Sequence, residues 1–573
     1  MTEGKGMDAN KTVWGIDLGT TYSCISRVDE NGYPVVINNL KGMPTTPSAV
    51  LFAAPDNIVV GDAAKDEMQL TPDLVCELVK QNMGAPDWSF RAQGSDWRAP
   101  EVASFILKEL ARSAEQATGT PVEEVVITVP AYFGIAEREA TVAAGKMAGL
   151  EVKDILNEPT AAAFSYGFAQ AGGNSETVLV YDLGGGTFDV TVIRLEPTES
   201  GGNGIRVIAT GGDDRLGGAL WDTRLVELLA KRFVEEAPDA IDPLDDPVAS
   251  ADLRLKAEEI KIGLTSRDSH SELIVAGTDR AKVTISREDF EAATRDLLER
   301  TIEFTRDTLA AAEAAGAGEI DRVLLVGGSS FMPAVAASLA EAFPGWAPEL
   351  QDPNQAVAKG AALAGLQRAV VELASPDGNG TSDDGTRIPP DPEKVREIAE
   401  AMHLSAGMVE KLASTEFTNV CSRAFGVRIL RDGADPLAAR DPEDFLVDHI
   451  IAPNTPLPLT GREEGREQTY ATSTDNQDTV DLQIWEQNSR EPSGDVAANK
   501  FVESGLFQMT RAYPRGAPIR VALGMEANGT LRLLATDPDG REMEFSATAE
   551  GAVMTDEQIE ASTAKVQAMS LAE

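Results

Sequence analysis

Two glycine-rich turns, each preceded by an aspartate, are the parts of this sequence whose residue types could do chemistry. In Asp182-Leu-Gly-Gly-Gly-Thr187-Phe-Asp189 an apolar run ends in a carboxylate, and three glycines and a hydroxyl follow. Glycine lets the backbone approach a bulky ligand, and successive amide N–H groups in such a turn bind anions. Asp182 and Asp189 carry the oxygen ligands that Mg²⁺ prefers. The pattern predicts a hairpin that holds a phosphate chain together with its metal ion.

An earlier stretch repeats this arrangement of strand, aspartate, glycine and hydroxyl. It reads Val13-Trp-Gly-Ile-Asp17-Leu-Gly19-Thr20-Thr21-Tyr22. One such turn by itself is more often an ordinary glycine-rich hairpin. Two copies of the turn, each placed directly after an apolar strand, favour two related lobes that bind one phosphate chain between them.

Alternating strand and helix patterns surround both turns and must position them. Glu124–Val129 has the pattern of a buried strand, 135–148 that of a helix, and 152–156 that of a short strand. Glu158 therefore follows the carboxyl end of a strand, where open α/β sheets place their ligands. Lys80 falls in a stretch, 71–84, with helical spacing, where a lone lysine is most simply a solvated charge. The alternation predicts a mostly parallel or mixed sheet with helices outside.

The rest of the chain changes character at about residue 375. Before this residue, two further glycine-rich turns, at Gly217-Gly218 and Gly327-Gly328, each precede a helix. The N-terminus of such a helix can bind an anion or the polar edge of a ring. Beyond that change, 375–390 has the composition of a flexible linker and 391–412 that of a small helical pair. Short strands, prolines and turns from Val420 onward predict an all-β sandwich, and 555–570 predicts one closing helix.

Composition excludes several classes of partner. The chain has 573 residues, 93 acidic against 50 basic, and a net charge of −43. Nucleic acid and anionic membranes would be repelled, so we expect neither as a partner. Three cysteines and three histidines are too scattered to form a zinc site. With no long apolar run, these features favour a reducing, cytoplasmic setting.

Taken together, the motifs resemble those of the heat-shock protein 70 family, the DnaK-type chaperones. The resemblance covers residues 12–368. The matching stretches, in family order, are Gly15-Ile-Asp17-Leu-Gly19-Thr20-Thr21-Tyr22-Ser23, Ile127-Thr-Val-Pro130-Ala-Tyr-Phe133, Asn157-Glu158-Pro159-Thr160, Asp182-Leu-Gly-Gly-Gly-Thr187-Phe-Asp189, Leu216-Gly-Gly218, Val326-Gly-Gly328 and Ala356-Val-Ala-Lys-Gly360-Ala-Ala362.

The resemblance implies a multidomain α/β plus β fold. An actin-like two-lobed ATPase domain would span 12–372 and a linker with a small helical insertion 373–418. A β-sandwich resembling the family's peptide-binding domain would span 419–550. The short helix in 551–573 would be the remnant of the family's long lid.

The resemblance also assigns the site residues, with ATP and Mg²⁺ as cofactors. Lys80, Glu158, Thr187 and Asp189 would be catalytic, and Asp17 and Asp182 would hold Mg²⁺ mainly through water. The nucleotide would be bound by Gly19, Thr20, Thr21, Tyr22, Gly184, Gly185, Gly186, Thr187, Gly217, Gly218, Glu258, Lys261, Thr265, Gly327, Gly328, Ser329, Phe331 and Asn354. The peptide cleft would be lined by Val427, Ile429, Leu430, Tyr470, Ser473, Val480 and Leu482, any of which could equally be plain sandwich core.

The chain departs from the family pattern in three respects. Ile262 and Phe331 stand where the family often stacks arginines on adenine. Asp154 replaces a basic residue linked to docking of J-domain cochaperones. The short apolar linker of the family is replaced by 375–418.

Three hypotheses follow for the function. The first is an ATP-hydrolysing chaperone for protein folding and stress response, which binds apolar segments of unfolded client proteins. J-domain cochaperones and nucleotide-exchange factors would be its possible partners. The second is a regulatory protein that binds ATP, hydrolyses little or none, and serves one dedicated partner. The third, a sugar-kinase relative, leaves the sandwich without a role and ranks low.

Overall fold

The first lobe is built around one mixed sheet. The computed structural model describes residues 12–169, 175–197, 203–374, 391–459, 466–526, 529–547 and 554–572. The strands here are β1 (Val13–Asp17), β2 (Tyr22–Val28), β3 (Pro34–Ile37), β4 (Thr46–Pro47), β5 (Val50–Ala54), β6 (Asn57–Val60), β7 (Val75–Cys76), β8 (Phe90–Ala92), β9 (Ser95–Trp97), β10 (Glu124–Val129) and β11 (Glu151–Asn157). The helices are α1 (Asp62–Asp66), α2 (Ala99–Thr118), α3 (Ile135–Met147) and α4 (Glu158–Ala169). The central sheet has the order β11-β10-β1-β2-β3.

The second lobe repeats that sheet. Its strands are β12 (Glu176–Leu183), β13 (Phe188–Pro197), β14 (Asn203–Asp213), β15 (Ser269–Ala276), β16 (Asp279–Ser286), β17 (Arg322–Val326) and β18 (Pro348–Leu350). Its helices are α5 (Gly218–Glu236), α6 (Pro247–Leu264), α7 (Arg287–Ala293), α8 (Arg295–Ala314) and α9 (Pro333–Ala342). The order β18-β17-β12-β13-β14 matches the first sheet strand for strand, with two antiparallel pairings on one side and parallel pairings on the other. The duplication expected from the two turns is therefore present in the sheets that carry them.

Helix α10 (Ala356–Ala374) returns to the first lobe and lies close against it. A Cβ on Gly15 of β1 would lie 2.1 Å from the backbone nitrogen of Ala362. A Cβ on Gly360 would lie 1.7 Å from the carbonyl oxygen of Ala161 in α4. These glycines are needed because a larger residue would push α10 away from β1 and α4.

The stretch 71–84 is not the helix that its spacing predicts. It consists of two 3₁₀ turns, Pro72–Leu74 and Val79–Asn82, on either side of the short strand β7. Leu78 adopts a left-handed backbone, with φ of 54°, immediately before the second turn. Pairing of β7 with β5 outweighs the local helical periodicity. Lys80 consequently lies on a short turn and points into the protein, not out to solvent.

The segment before the sandwich is packed on the lobes. Helices α11 (Pro392–Ala401) and α12 (Ala406–Ala413) share a small apolar core with α10 through Val370, Ile398 and Leu412. Strand β19 (Glu416–Thr418) then extends the second sheet by pairing in parallel with β14. The predicted helical pair is thus present and docked. The predicted flexible stretch 375–390 lies outside the described residues.

The β region forms two four-stranded antiparallel sheets around a common core, as predicted. Its strands are β20 (Phe425–Leu430), β21 (Phe445–Ile451), β22 (Glu467–Ala471), β23 (Gln477–Gln487), β24 (Asn499–Tyr513), β25 (Pro518–Met525), β26 (Leu531–Thr536) and β27 (Glu542–Ala547). The sheet orders are β21-β20-β23-β24 and β22-β25-β26-β27. Ile135 of α3 is part of the same apolar cluster, which joins the sandwich to the first lobe.

The C-terminal segment packs on the first lobe. Helix α13 (Asp556–Gln567) lies against α2 and α3, and Met554 and Val566 are buried in the core of that lobe. Lys565 lies 3.7 Å from the ring centre of Trp97 and donates a 2.8 Å hydrogen bond to the carbonyl oxygen of Asp96. Strand β28 (Ser570–Leu571) then pairs in parallel with β6. The helix assigned above to a shortened lid therefore belongs structurally to the ATPase-like lobe.

Candidate nucleotide site

The two lobes enclose a cavity of about 250 Å³ between their sheets. Both glycine-rich turns reach it, because they follow the equivalent strands β1 and β12. The residues that line it are Asp17, Gly19, Thr20, Thr21, Tyr22, Cys24, Thr45, Lys80, Glu158, Asp182, Gly184, Gly185, Thr187, Glu258, Lys261, Ile262, Gly327, Gly328, Ser329, Pro353, Asn354 and Val357.

The two turns contact each other directly across this cavity. A Cβ on Gly185 would lie 2.1 Å from Oγ1 of Thr21, and one on Gly186 would lie 2.5 Å from Cγ2 of Thr20. Side chains at these two positions would therefore force the turns apart. The turns form one continuous surface of backbone amides and hydroxyl groups, which suits a chain of phosphates.

A third glycine corner supports the second turn from behind. The backbone N–H groups of Gly218 and Ala219 donate to the carbonyl oxygens of Gly184 and Gly185, at 3.0 and 2.7 Å. The hydroxyl of Ser329 donates to the carbonyl oxygen of Gly184 at 2.9 Å. These bonds direct the carbonyl groups of the turn toward α5. Gly217 and Gly218 thus support the turn that lines the cavity, and they do not line the cavity themselves.

A cluster of buried charges lies at the inner end of the cavity. Lys80 Nζ lies 2.5 Å from Oε1 of Glu158, and both side chains are buried. Burial and the negative charge of Glu158 raise the pKa of Asp17 to about 7, against the opposing effect of Lys80. Burial, together with the charges of Glu158, Asp189 and Asp17, also raises the pKa of Asp182 well above its usual value. The four carboxylates outnumber the one ammonium group, so the site favours an added cation.

Asp189 lies behind the cavity lining, on β13 opposite Asp182. Its Oδ1 accepts a hydrogen bond from the backbone N–H of Tyr132 at 3.2 Å, and Ala131 donates a second backbone bond. Burial and the charge of Glu158 nevertheless raise the pKa of Asp189 to about 8. The segment after β10 therefore fixes the position of this carboxylate.

The outer end of the cavity is formed mainly by the second lobe. Ile262 lines it and is half exposed, as expected for a residue that could face a flat ring. Lys261 is held by Asp222, with 2.7 Å between Nζ and Oδ2. Phe331 is exposed, and neither it nor Thr265 is among the lining residues. The predicted adenosine contacts of those two side chains stay predictions.

One ion pair crosses from lobe to lobe above the cavity. Lys65 of α1 bonds to Glu258 of α6, and the ammonium group of Lys65 lies 4.9 Å from the ring centre of Tyr22. A hydrogen bond of 3.0 Å from Gln69 to Asp252 lies beside it. These contacts hold the two lobes together at the mouth of the site.

Four lining residues escaped the sequence-based prediction. Cys24 lies on β2 just after the first turn, Thr45 lies in the proline-rich loop, and Pro353 and Val357 flank the start of α10. Their proximity to motifs was visible in the sequence. None of the four is charged and none is a glycine, so nothing in their chemistry marked them as site residues.

The predicted peptide-cleft residues lie in and around the core of the sandwich. Val427 and Leu482 are core residues, with 2 % and 6 % of their surface exposed. Ile429, Tyr470 and Val480 pack against that core at its edge. Leu430 and Ser473 are partly buried, and Ser473 donates a 2.8 Å backbone hydrogen bond to Gln477. A role for this group in peptide binding stays a prediction.

The residues present fit a nucleotide with a hydrated Mg²⁺. The cluster of carboxylates needs a cation, and the two turns offer amides and hydroxyls to an anion. Among the described residues no three His, Cys, Asp or Glu side chains are close enough to bind a metal directly, and a hydrated Mg²⁺ does not need such a cluster. Asp17 and Asp182 would hold the ion through its waters.

The fold and the site define a two-lobed protein with a nucleotide cleft. The family model described as Hsp70 protein matches residues 13–372 of the chain, which is more than half of its length. The chain therefore belongs to the Hsp70 family. The members of this family are ATPases with an actin-like two-lobed domain and act as ATP-dependent chaperones that bind client peptides and cochaperones. Across the ranges that the structure describes, no helix is long and apolar enough to cross a membrane.

Proposed function

We propose that this chain binds Mg·ATP between its lobes, hydrolyses it, and thereby changes the affinity of the β sandwich for apolar peptide segments. One observation carries this proposal. Two turns from two equivalent strands meet face to face around a buried group of four carboxylates and one lysine. Phosphoryl transfer depends mainly on placement and charge neutralisation, and this arrangement supplies both.

Each polar group at the inner end of the cavity has a role in this proposal. The ammonium group of Lys80 stabilises the negative charge that develops on the transferred phosphoryl group. Glu158 and Asp189 orient the attacking water, and Thr187 adds a hydroxyl beside it. Mg²⁺, when bound, neutralises the charge of the phosphate oxygens. Gly184 and Gly185 bind the phosphates through backbone amides because no Cβ stands in the way.

The peptide side of the proposal depends on the sandwich. Burying one ligand leucine against its apolar residues would contribute about 1.5–3 kcal/mol, and each main-chain hydrogen bond about 1 kcal/mol. Because the chain carries a net charge of −43, we expect a preference for apolar peptides flanked by Lys or Arg.

The proposal includes a cytoplasmic location. J-domain cochaperones and exchange factors are its proposed partners, although the docking position Asp154 is paired with Arg368 at 2.8 Å.

Replacing Lys80 tests the enzymatic part. Lys80→Met should lower the single-turnover rate of ATP hydrolysis by about a hundredfold, because one positioned charge is lost from a water-poor site. The variant leaves Glu158 buried without its partner, so it should also unfold at a lower temperature. Lys80→Met/Glu158→Gln removes both charges and should recover stability without recovering hydrolysis. Unchanged turnover in either variant would contradict the assigned role.

A second candidate function is supported by the position of α13. Because this helix packs on α2 and α3, it does not cover the sandwich as a lid would. That arrangement favours a regulatory protein that binds ATP, hydrolyses little, and uses the sandwich for one partner. A peptide array distinguishes the two functions, since many apolar peptides should bind a chaperone and few or none should bind the regulator.

A further inference from the structure

Residues 554–572 form a strap across the first lobe, the C-terminal strap. Helix α13 packs on α2 and α3, and β28 then joins the sheet that contains β6. Apolar side chains of the strap lie in or against the core of that lobe: Met554, Ile559, Val566, Met569 and Leu571. The strap is therefore part of the first lobe, although the whole sandwich separates the two in the sequence.

A buried ion pair anchors the helical part of the C-terminal strap. Nζ of Lys565 in α13 lies 3.2 Å from Oε1 of Glu101 in α2, and Glu101 has only 4 % of its surface exposed. The same carboxylate accepts a hydrogen bond of 2.7 Å from the backbone N–H of Arg98, which caps the start of α2. Because a buried carboxylate is costly without a partner, Lys565 stabilises the docked position of α13.

Strand β28 covers one edge of a small sheet whose order is β28-β6-β5-β7. The backbone N–H of Ser570 donates to the carbonyl oxygen of Asp56 at 3.0 Å. The backbone N–H of Ala572 donates to the carbonyl oxygen of Ile58 at 2.9 Å. Without β28, β6 would be an edge strand, and backbone that is bonded on one side only opens more readily.

The strand that β28 covers leads directly to the ion pair at the mouth of the nucleotide site. Strand β6 ends at Val60, and Gly61, with φ of 90°, turns the chain into α1. The backbone N–H of Lys65 donates to the carbonyl oxygen of Gly61 at 3.0 Å, so α1 is fixed to this turn. The side chain of Lys65 bonds to Glu258 of the other lobe. A displacement of β6 therefore moves the lysine that joins the lobes.

We propose that the C-terminal strap slows the release of nucleotide: by covering β6 it holds α1 in place, and it thereby keeps Lys65 paired with Glu258 across the cleft. This inference rests on the proposed function, because it needs a nucleotide in the cleft. The strap acts at the mouth of the site, whereas Lys80 and Glu158 lie at the inner end. It therefore sets the lifetime of the bound nucleotide and leaves the chemical step unchanged.

Two variants of the full chain loosen the strap at different points. Ser570→Pro/Ala572→Pro removes both N–H donors of β28, because proline has no backbone N–H. Lys565→Met/Glu101→Gln removes the buried ion pair, and a glutamine can still cap the start of α2. Gln567→Ala, at an exposed position of α13, is the control.

Stopped-flow release of a fluorescent ATP analogue, bound with Mg²⁺, measures the effect. We expect both strap variants to release it about three- to tenfold faster, with the loss of the ion pair to Glu258 as the upper limit. Gln567→Ala should release it at the wild-type rate. The single-turnover rate of ATP hydrolysis should change less than about twofold, since the charges around Lys80 are not altered.

A double-mutant cycle with Lys65→Met separates this role from a general loosening of the lobe. If the strap acts through Lys65, either strap variant should speed release by less than about twofold when Lys65→Met is already present. Effects that multiply independently, or release at the wild-type rate in both strap variants, overturn the inference. A wild-type chain that gives no heat of binding with Mg·ATP overturns the proposed function as well, whereas normal binding with unchanged release overturns this inference alone.

Discussion

Gly185 and Thr21 lie so close across the cleft that a Cβ on the glycine would be 2.1 Å from Oγ1 of the threonine. Non-bonded carbon and oxygen atoms do not approach to this distance. The two turns can therefore meet only because position 185 has no side chain. The contact joins a residue of the first lobe to one of the second.

Gly185→Ala should weaken binding of Mg·ATP by at least about tenfold, because the added methyl group separates the turns that hold the phosphates. Isothermal titration calorimetry measures the effect. Gly407→Ala is the matched control, since a Cβ at Gly407 meets nothing within 4 Å. Equal affinities of the two variants would show that the contact between the turns does not matter for binding.

Lys65→Met should speed the release of nucleotide by about tenfold, a change of about 1.4 kcal/mol, because the ion pair to Glu258 holds the lobes together at the mouth of the site. Stopped-flow release of a fluorescent ATP analogue gives the rate. Arg232→Met serves as control, since Arg232 bonds to Glu235 and Asp289, both in the second lobe. If the two variants release nucleotide equally fast, the bridge between the lobes has no special role.

Val566→Asp should destabilise the first lobe, because Val566 is fully buried in its core and an unpaired carboxylate would replace it. Loss of the apolar contact alone corresponds to about 1.5–3 kcal/mol. Thermal unfolding should show a lower midpoint, and amide hydrogen exchange should become faster in β5 and β6. Ala564→Asp, at an exposed position of the same helix, should change neither. A stable Val566→Asp variant would mean that α13 is not part of that core.

Docking of the sandwich should weaken as pH rises. Burial raises the pKa of Glu486, and Glu137 raises it further, whereas Arg423 and Lys500 lower it. The docked state therefore binds the proton more tightly than the undocked state. The contribution is fully present below the pKa of the undocked group and is lost as pH rises through the higher pKa of the docked group.

Glu486→Gln mimics the protonated form, so it should keep the sandwich docked and remove this pH dependence. Small-angle scattering in a pH series would follow the docked fraction as pH rises above the usual pKa of a glutamate. Glu303→Gln, at the exposed contact with Arg490, should leave the dependence in place. A wild-type chain whose docking does not vary with pH would contradict the assignment to Glu486.

Local chemistry made the centre of the site predictable. Asp17, Asp182 and the glycines after them stand in turns whose strands were recognisable from apolar runs, and the structure brings them together as expected. The duplicated strand order follows from the same repeat. Glu158 lines the cavity because it follows the end of β11, and the ends of neighbouring strands converge.

Long-range packing was not predictable in the same way. Periodicity suggested a helix at 71–84, but pairing of β7 with β5 fixed a different structure. The hydrogen bonds of α13 and β28 with the first lobe join residues more than 400 positions apart in the chain. Arg423 of the sandwich has no sequence signature either, because its partner is a backbone carbonyl oxygen, that of Tyr132.

The sandwich is attached to the rest of the molecule at both of its ends, and to a different lobe at each. The chain enters it from β19, which belongs to the sheet of the second lobe, and the chain beyond it ends in β28, which belongs to a sheet of the first. Rotation of one lobe against the other therefore changes the separation of these two anchors. Opening or closing the nucleotide cleft therefore displaces the two attachment points of the sandwich relative to each other.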